Sequence, residues 1–180
     1  SYTYDADGRL LTRIDPLGHT TINDYGDGRN LTSVTDAAGR ITRYTYDSAG
    51  NQTSITDPAG NISRFDYDGS GNIVRKIDAL GHSTAYSYDA KGNQISETTV
   101  VTVLNGTMRT NVTLRSYTAD NRLASITDPA GNVTRNEYDA VGNRSASIDP
   151  LGRRTEYHYD NRNALILTRF PDGTTEGASY

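Results

Sequence analysis

The sequence predicts an all-β fold: tandem 21-residue β-hairpin repeats that form a curved, spiralling antiparallel sheet. Three observations predict it. Tyrosine recurs at a fixed interval, two turn signatures recur within each interval, and the segments between the turns are short and rich in Thr, Tyr and β-branched residues. A wide open sheet of such strands must curl, because β-strands twist.

The tyrosine repeat is the first of these observations. Seven of the eight intervals are 21 residues and one is 29. The chain therefore reads as a single array, residues 1–180, of about eight units and without atypical terminal caps, which predicts a fragment of a longer array. The repeated tyrosines are Tyr4, Tyr25, Tyr46, Tyr67, Tyr88, Tyr117, Tyr138, Tyr159 and Tyr180.

Two turn signatures per unit are the second observation. The first begins at the tyrosine and follows the pattern Tyr-Asp-x-x-Gly-Asn, and the second, Asp-Pro-x-Gly, begins eleven residues after the tyrosine. Asp at the first position, Pro at the second and Gly at the fourth are typical of a type I turn. The predicted turn residues are Tyr46, Asp47, Gly50, Asn51, Asp57, Pro58, Gly60, Tyr67, Asp68, Gly71, Asn72, Asp128, Pro129, Gly131, Tyr138, Asp139, Gly142, Asn143, Asp149, Pro150 and Gly152. The sequence departs from these signatures at Gly26, Thr118 and Phe170-Pro171-Asp172-Gly173, so the patterns do not predict those single turns.

The strands between the turns are the third observation. In the second strand of each unit, alternate residues such as Thr42, Tyr44 and Tyr46 share one face of the pleat. The first strand mixes two parities, as at Leu31 and Val34, so its faces require a bulge or a slip in register.

The 29-residue interval predicts a longer hairpin over about residues 95–117. Its extra residues flank Asn105-Gly106, a favoured two-residue hairpin turn, with strands expected over 98–104 and 107–117. Roughly four added residues per strand would carry its tip about 13 Å further. Asn105 and Gly106 therefore mark either a tolerated insertion or a binding element.

Composition excludes several classes of protein. The chain has no cysteine, which excludes disulfide scaffolds and thiol nucleophiles. Leu, Ile, Val and Phe make up 32 of 180 residues, below the roughly 20% typical of a packed core. The net charge of −4 and the lack of a basic cluster argue against nucleic acid as a partner. No apolar run is long enough for a membrane span.

No catalytic, metal or cofactor site is predicted. Nearly every repeated Asp opens a turn, and the spacing of a calcium loop is absent. His19 and His82 follow turn glycines at a position that Arg40 and Asn61 also occupy, which indicates a polar surface position. The tyrosine rows favour cross-strand packing over stacking on sugar rings.

With these elements in place, the sequence resembles the RHS or YD-repeat family over essentially its whole length. Its members include Rhs polymorphic toxins, C components of insecticidal toxin complexes, wall-associated proteins and the YD shell of teneurins. The resemblance implies a hollow shell and, in bacterial toxins, an enclosed C-terminal effector, so the implied partners are other RHS repeats and that effector.

The resemblance also implies a secreted or cell-surface location and a C-terminal core with catalytic aspartates. Arg153-Arg154-Thr155 continues the ordinary repeat after Gly152, so no catalytic aspartate is assigned. The leading hypothesis is a structural shell segment that encloses and helps deliver an effector. The alternative is a surface recognition module that binds glycans or proteins through the tyrosine face and the Asn105-Gly106 hairpin.

Overall fold

The computed structural model describes residues 1–26, 28–102 and 106–177, and the backbone alone at Thr102. These residues form seventeen β-strands and no helix, each strand antiparallel to the next in the chain. The predicted all-β class and antiparallel hairpin order are confirmed. The strands are β1 Tyr2–Tyr4, β2 Leu10–Ile14, β3 Thr20–Asp24, β4 Ser33–Thr35, β5 Ile41–Tyr46, β6 Gln52–Thr56, β7 Ile62–Tyr67, β8 Ile73–Ile77, β9 Ser83–Tyr88, β10 Gln94–Thr102, β11 Met108–Tyr117, β12 Leu123–Thr127, β13 Val133–Tyr138, β14 Arg144–Ile148, β15 Arg154–Tyr159, β16 Leu165–Arg169 and β17 Thr175–Gly177.

The chain divides into two compact units, Ser1–Ala85 and Tyr86–Tyr180. In the first unit, strands of three to six residues alternate with tight turns. The second unit follows the same plan, except that β10 and β11 have nine and ten residues. These two strands form the long hairpin, and their last described pair is Thr102 with Met108. Gly106 has a φ of 78°, whereas Asn105 lies outside the described residues, so the Asn-Gly turn stays a prediction.

A β-bulge explains the mixed parity of the first strand in six of the described hairpins, whereas β3 and β4, the strands nearest Leu31 and Val34, pair without a shift in register. Thr45 pairs with Ser54 but Tyr46 pairs with Gln52, which leaves Thr53 as an extra residue. Gln52 and Ile55 therefore lie on the same face of the sheet as Tyr46 and Tyr44, the residues with which they pair. The same shift in register occurs between β1 and β2, β7 and β8, β11 and β12, β13 and β14, and β15 and β16.

The strands do not enclose a conventional core. Among the described residues, Ala146 is the only buried hydrophobic residue and no large side chain is fully buried. Exposure alternates along strands such as β5, where Arg43 and Thr45 are exposed while Tyr44 and Tyr46 are half-buried. The half-buried tyrosine face is called face A below, and the opposite face, with its Arg, Ser and Thr side chains, is called face B.

Candidate functional site

The aspartate-led turns are the most regular chemical feature of the structure. In the turn at Asp57, the amide of Gly60 donates to the Asp57 carbonyl at 3.0 Å, and the Asp57 amide donates to the Asn61 carbonyl at 3.0 Å. Gly60 has a φ of 88°. This is a type I turn followed by a left-handed residue, the geometry of a short hairpin with a G1 bulge.

The carboxylate of Asp57 satisfies three donors within its own turn. Oδ1 accepts the amides of Ala59 at 2.8 Å and Asn61 at 2.9 Å, and Oδ2 accepts Nδ2 of Asn61 at 2.8 Å. A carboxylate is therefore used where a type I turn leaves amides without backbone partners. The predicted turns at Asp47, Asp68, Asp128, Asp139 and Asp149 have the same pattern of bonds.

In most of these turns the residue four positions after the aspartate supplies the donor to Oδ2, whereas at Asp160 the donor is Nε of Arg162. Asparagine does so at Asn51 and Asn61, and arginine at Arg40, where Nε lies 2.7 Å from Asp36. His19 and His82 occupy the same position, with Nδ1 2.9 Å from Asp15 and 2.8 Å from Asp78. Both histidines are therefore turn components. The sequence signal for this role is that side chains able to donate recur four residues after Asp.

These hydrogen bonds lower the pKa of the turn aspartates. The Asn61 side chain, and then its amide, hold the pKa of Asp57 below its ordinary value. The His19 side chain does the same to the pKa of Asp15. Hydrogen bonding to the charged carboxylate is thus the main cause, and every such carboxylate is ionised at neutral pH.

The departures from the turn consensus keep the backbone geometry at two of three positions. Asn121 replaces glycine with a φ of 61°, and its amide donates to the Thr118 carbonyl at 3.0 Å. In the turn from Phe170 to Gly173, the Gly173 amide donates to Phe170 at 3.0 Å. The Tyr25 turn differs, because the Thr32 amide donates to the Asp24 carbonyl across a longer loop.

The repeated tyrosines connect successive repeats. Tyr46 donates its hydroxyl to the Leu31 carbonyl at 2.8 Å, and Tyr67 donates to the Gln52 carbonyl at 2.9 Å. Gln52 is the residue that pairs with Tyr46, the tyrosine of the preceding repeat. Leu31 holds the same position, 15 residues before the donating tyrosine, in its own repeat. Equivalent bonds run from Tyr25 to Leu10, Tyr117 to Gln94, Tyr138 to Leu123 and Tyr159 to Arg144.

The tyrosine bond replaces a missing part of the β-ladder. Between β6 and β7 the register includes three pairs and ends at Ser54 with Arg64. Gln52 lies beyond that last pair, and its carbonyl accepts the hydroxyl of Tyr67 instead. The sequence reasoning assigned the tyrosines to packing and missed this role, which the fixed interval of 21 residues alone does not reveal.

Further contacts between neighbouring turns reinforce the same connection. The guanidinium of Arg9 lies 4.9 Å from the ring centre of Tyr25, in the next repeat, and that of Arg122 lies 5.7 Å from Tyr138. Where asparagine holds this position, Asn143 donates to Asn163 of the next repeat at 3.0 Å. The side chains of the Tyr-Asp turns therefore hold adjacent repeats together.

Within residues 1–26, 28–102 and 106–177, no group of three or more His, Asp or Glu side chains could hold a metal ion. None of these residues forms a helix of the length and apolarity that crossing a membrane requires.

This fold and these contacts define a protein of tandem β-hairpins whose polar side chains build the repeat itself. The family model for the RHS Repeat matches residues 25–62, 67–103, 117–151 and 138–175, which together exceed half of the sequence. The chain therefore belongs to the RHS repeat family, as the resemblance in the sequence predicted.

Solved structures share the fold at low sequence identity. The structure of TcdB2-TccC3-TEV matches with a TM-score of 0.67 and 20% identity over 97% of this chain. That of TcdB2-TccC3-Cdc42 matches with 0.67 and 19% over 97%, and that of TcdB2-TccC3 without its hypervariable C-terminal region with 0.66 and 20% over 96%. The chain spans 11% of the length of each of these proteins. Comparison with curated protein sequences gave no significant match.

Proposed function

We propose that this chain is a segment of the wall of an RHS-type container, which encloses a C-terminal effector of the same parent protein and helps to deliver it. The role of the chain itself is structural, and its immediate partners are neighbouring RHS repeats and the enclosed effector. The parent is secreted or displayed at a bacterial cell surface.

The observation that carries this proposal is that the repeated polar side chains already have partners within the wall. The carboxylate of Asp57 accepts three hydrogen bonds from its own turn. The hydroxyl of Tyr67 bonds to the previous repeat, and His82 lies against Asp78. Acid–base catalysis requires titratable groups that face a substrate, whereas these groups hold turns and neighbouring strands.

The fold comparisons support the container reading. The matched proteins include one named as TcdB2-TccC3 without its hypervariable C-terminal region, and others named with TEV and Cdc42 appended. These names describe a protein with a hypervariable C-terminal region that can be left out, and versions of it that carry TEV or Cdc42. We extend that arrangement to the parent of this chain as part of the proposal.

The alternative, in which the tyrosine face binds glycans, gains no support from the contacts. A tyrosine that binds a sugar offers its ring face and its hydroxyl to the ligand. Here the hydroxyls of Tyr46 and Tyr138 are donated to carbonyls of the chain, at 2.8 and 2.9 Å. The ring of Tyr138 also lies beneath Arg122.

Electron microscopy of the intact parent protein tests the container directly. We expect closed hollow particles with internal density, and empty particles when the region C-terminal to the repeats is removed. Limited proteolysis supplies a second readout, because the C-terminal region should resist cleavage in the intact parent and be cleaved when expressed alone. Open ribbons, or a C-terminal region that is equally accessible in both forms, contradict the proposal.

A further inference from the structure

The outer part of the long hairpin extends past the strand next to it. β11 pairs with β12 only as far as Leu114 with Thr127, while it pairs with β10 out to Met108. The six residues from Met108 to Thr113 thus continue for about 20 Å beyond the last pair with β12. Along this part, the β11 edge away from β10 has no paired strand among the described residues.

Natural sheets protect such edges, and this one has a single device of that kind, the charge of Arg109 on face A. Lysine, proline, inward-facing charge and bulges are the common devices that prevent a strand edge from pairing with another chain. From Met108 to Thr113 the sequence is Met-Arg-Thr-Asn-Val-Thr, with one charged residue. Its register with β10 runs from Ser96 to Thr102 without a shift, so no bulge interrupts it.

The same segment presents apolar side chains on face B. Met108 and Val112 lie on that face with exposed fractions of 71% and 37%, and Leu114, directly after the segment, lies there with 48%. In other repeats the position equivalent to Leu114, three residues before the tyrosine, is charged in four cases and apolar in two: Arg43, Arg64, Arg135 and Glu156, and Ile22 and Ala85. The long hairpin thus carries an apolar row where the rest of face B is largely polar.

The charge of the segment is also distinct from that of the whole chain. No Asp or Glu occurs from Thr98 to Ala119, although the chain carries 22 of them and a net charge of −4. Arg109 is exposed on face A, and among the described residues it forms no ion pair. A binding partner that matches this edge therefore carries a carboxylate opposite Arg109.

We propose that the free edge of β11, from Met108 to Thr113, is a docking site for an extended strand of a separate protein. The docked strand pairs antiparallel with the edge. It places apolar side chains opposite Met108 and Val112 on face B and an acidic side chain opposite Arg109 on face A. Backbone hydrogen bonds supply affinity, and the alternating side chains supply specificity.

A strand fits this edge better than a lipid surface does. Unpaired backbone amides and carbonyls are costly in hydrocarbon, because no water is present there to satisfy them. Thr110, Asn111 and Thr113 add polar side chains along the same six residues. A polypeptide strand satisfies the backbone groups and tolerates the polar side chains.

The probe for this site is a peptide with fluorescein on its N-terminal amine, fluorescein-Thr-Val-Thr-Val-Glu-Val-amide, whose sequence runs antiparallel to Thr113–Met108 with Glu opposite Arg109. Fluorescence anisotropy with the 180-residue chain should show saturable binding. Arg109→Glu should weaken binding of this peptide about fivefold. A peptide with Lys in place of Glu should instead bind the Arg109→Glu variant more tightly than the native chain. Val112→Lys should weaken binding by at least about fivefold.

Two controls separate strand pairing from other contacts. Ile22→Lys changes a comparably exposed apolar residue, on a strand paired at both edges, and should leave binding unchanged. A peptide N-methylated at its valines keeps its apolar side chains but loses amide donors, so it should not bind. Circular dichroism measures whether each variant is folded. If Val112→Lys does not fold, Arg109→Glu still tests the site.

Four outcomes would overturn the proposal. They are no saturable binding up to about 1 mM peptide, equal binding of the N-methylated peptide, a dimer detected by light scattering that Val112→Lys abolishes, and flotation with phosphatidylserine vesicles that Val112→Lys abolishes. The third outcome would assign the edge to a second copy of this chain, and the fourth to a lipid surface.

Discussion

Tyrosine combines two functions at one position of each repeat. The ring of Tyr46 covers part of face A, and its hydroxyl satisfies the Leu31 carbonyl beyond the end of the ladder between two repeats. Partial burial raises the pKa of the Tyr46 hydroxyl, which keeps it protonated and a donor at neutral pH. Phenylalanine supplies the ring area but not the bond, which gives a physical reason for the hydroxyl.

Removal of this hydroxyl should therefore destabilise the chain more than removal of a neighbouring one. We expect Tyr46→Phe to lower the free energy of unfolding by about 1 kcal/mol, because it leaves a carbonyl without its donor. Tyr44→Phe is the matched control, since Tyr44 lies on the same strand and face but its hydroxyl forms no hydrogen bond with the described residues. Urea unfolding followed by circular dichroism measures both, and equal losses would contradict the role of the Tyr46 bond.

At the scale of the hairpin, the left-handed residue that follows each type I turn determines the turn geometry. Gly60 has a φ of 88°, and the space around a side chain built there is empty within 4 Å. Glycine is therefore favoured at this position by the positive φ of the backbone and not by a lack of space for a side chain. Asn121 and Asn163 adopt φ values of 61° and 63° at the equivalent position of other turns.

This geometry predicts opposite tolerances for two substitutions at Gly60. Gly60→Val should destabilise the chain by about 1–2 kcal/mol, because β-branched residues resist positive φ. Gly60→Asn should cost well under about 1 kcal/mol, since asparagine adopts this conformation readily. Thermal melting of the two variants separates them, and similar melting temperatures would argue against a left-handed backbone at this turn.

Within the hairpin, the sequence predicted the strands and turns but not the bulge or the hydrogen bond of the tyrosine. Asp, Pro and Gly at fixed positions specify turns through local bonds and φ preferences, so periodicity alone predicted the strands and their order. The bulge at Thr53 was not assignable, because nothing in its side chain marks an unpaired residue. The bond from Tyr67 to Gln52 joins residues 15 apart through three-dimensional packing, which no local pattern encodes.

At the scale of the whole molecule, stability must come from many small contributions instead of one core. Ala146 is the sole buried hydrophobic residue of the described part. It lies between strands where Arg154 bridges Glu137 at 2.8 Å and Glu156 at 3.1 Å. Repeats that contact only their neighbours add their stabilities approximately. Any condition that weakens every turn at once should therefore lower the free energy of unfolding in proportion to the number of turns.

Acidification is such a condition, and its sign follows from the turn aspartates. Hydrogen bonds from Asn61 lower the pKa of Asp57 in the folded state. Stability from this group is present above its unfolded value, about 3.9, and is lost as pH falls through the lower folded value. The same direction holds at Asp5, Asp15, Asp36, Asp47, Asp68, Asp78, Asp89, Asp128, Asp139, Asp149 and Asp160.

We therefore expect the melting temperature to be nearly constant from pH 7 to about pH 5 and to fall steeply below about pH 4. Asp57→Asn supplies the matched test, because its amide nitrogen faces the Nδ2 donor of Asn61 where Oδ2 accepts that donor in the native chain. The variant should melt below the native chain at pH 7, and this difference should shrink as the native carboxylate becomes protonated in acid. Added salt should change little, since hydrogen bonds and not long-range charge cause the shift at Asp57. A difference between the two chains that is the same at pH 7 and pH 2 would show that the charge of Asp57 does not stabilise its turn.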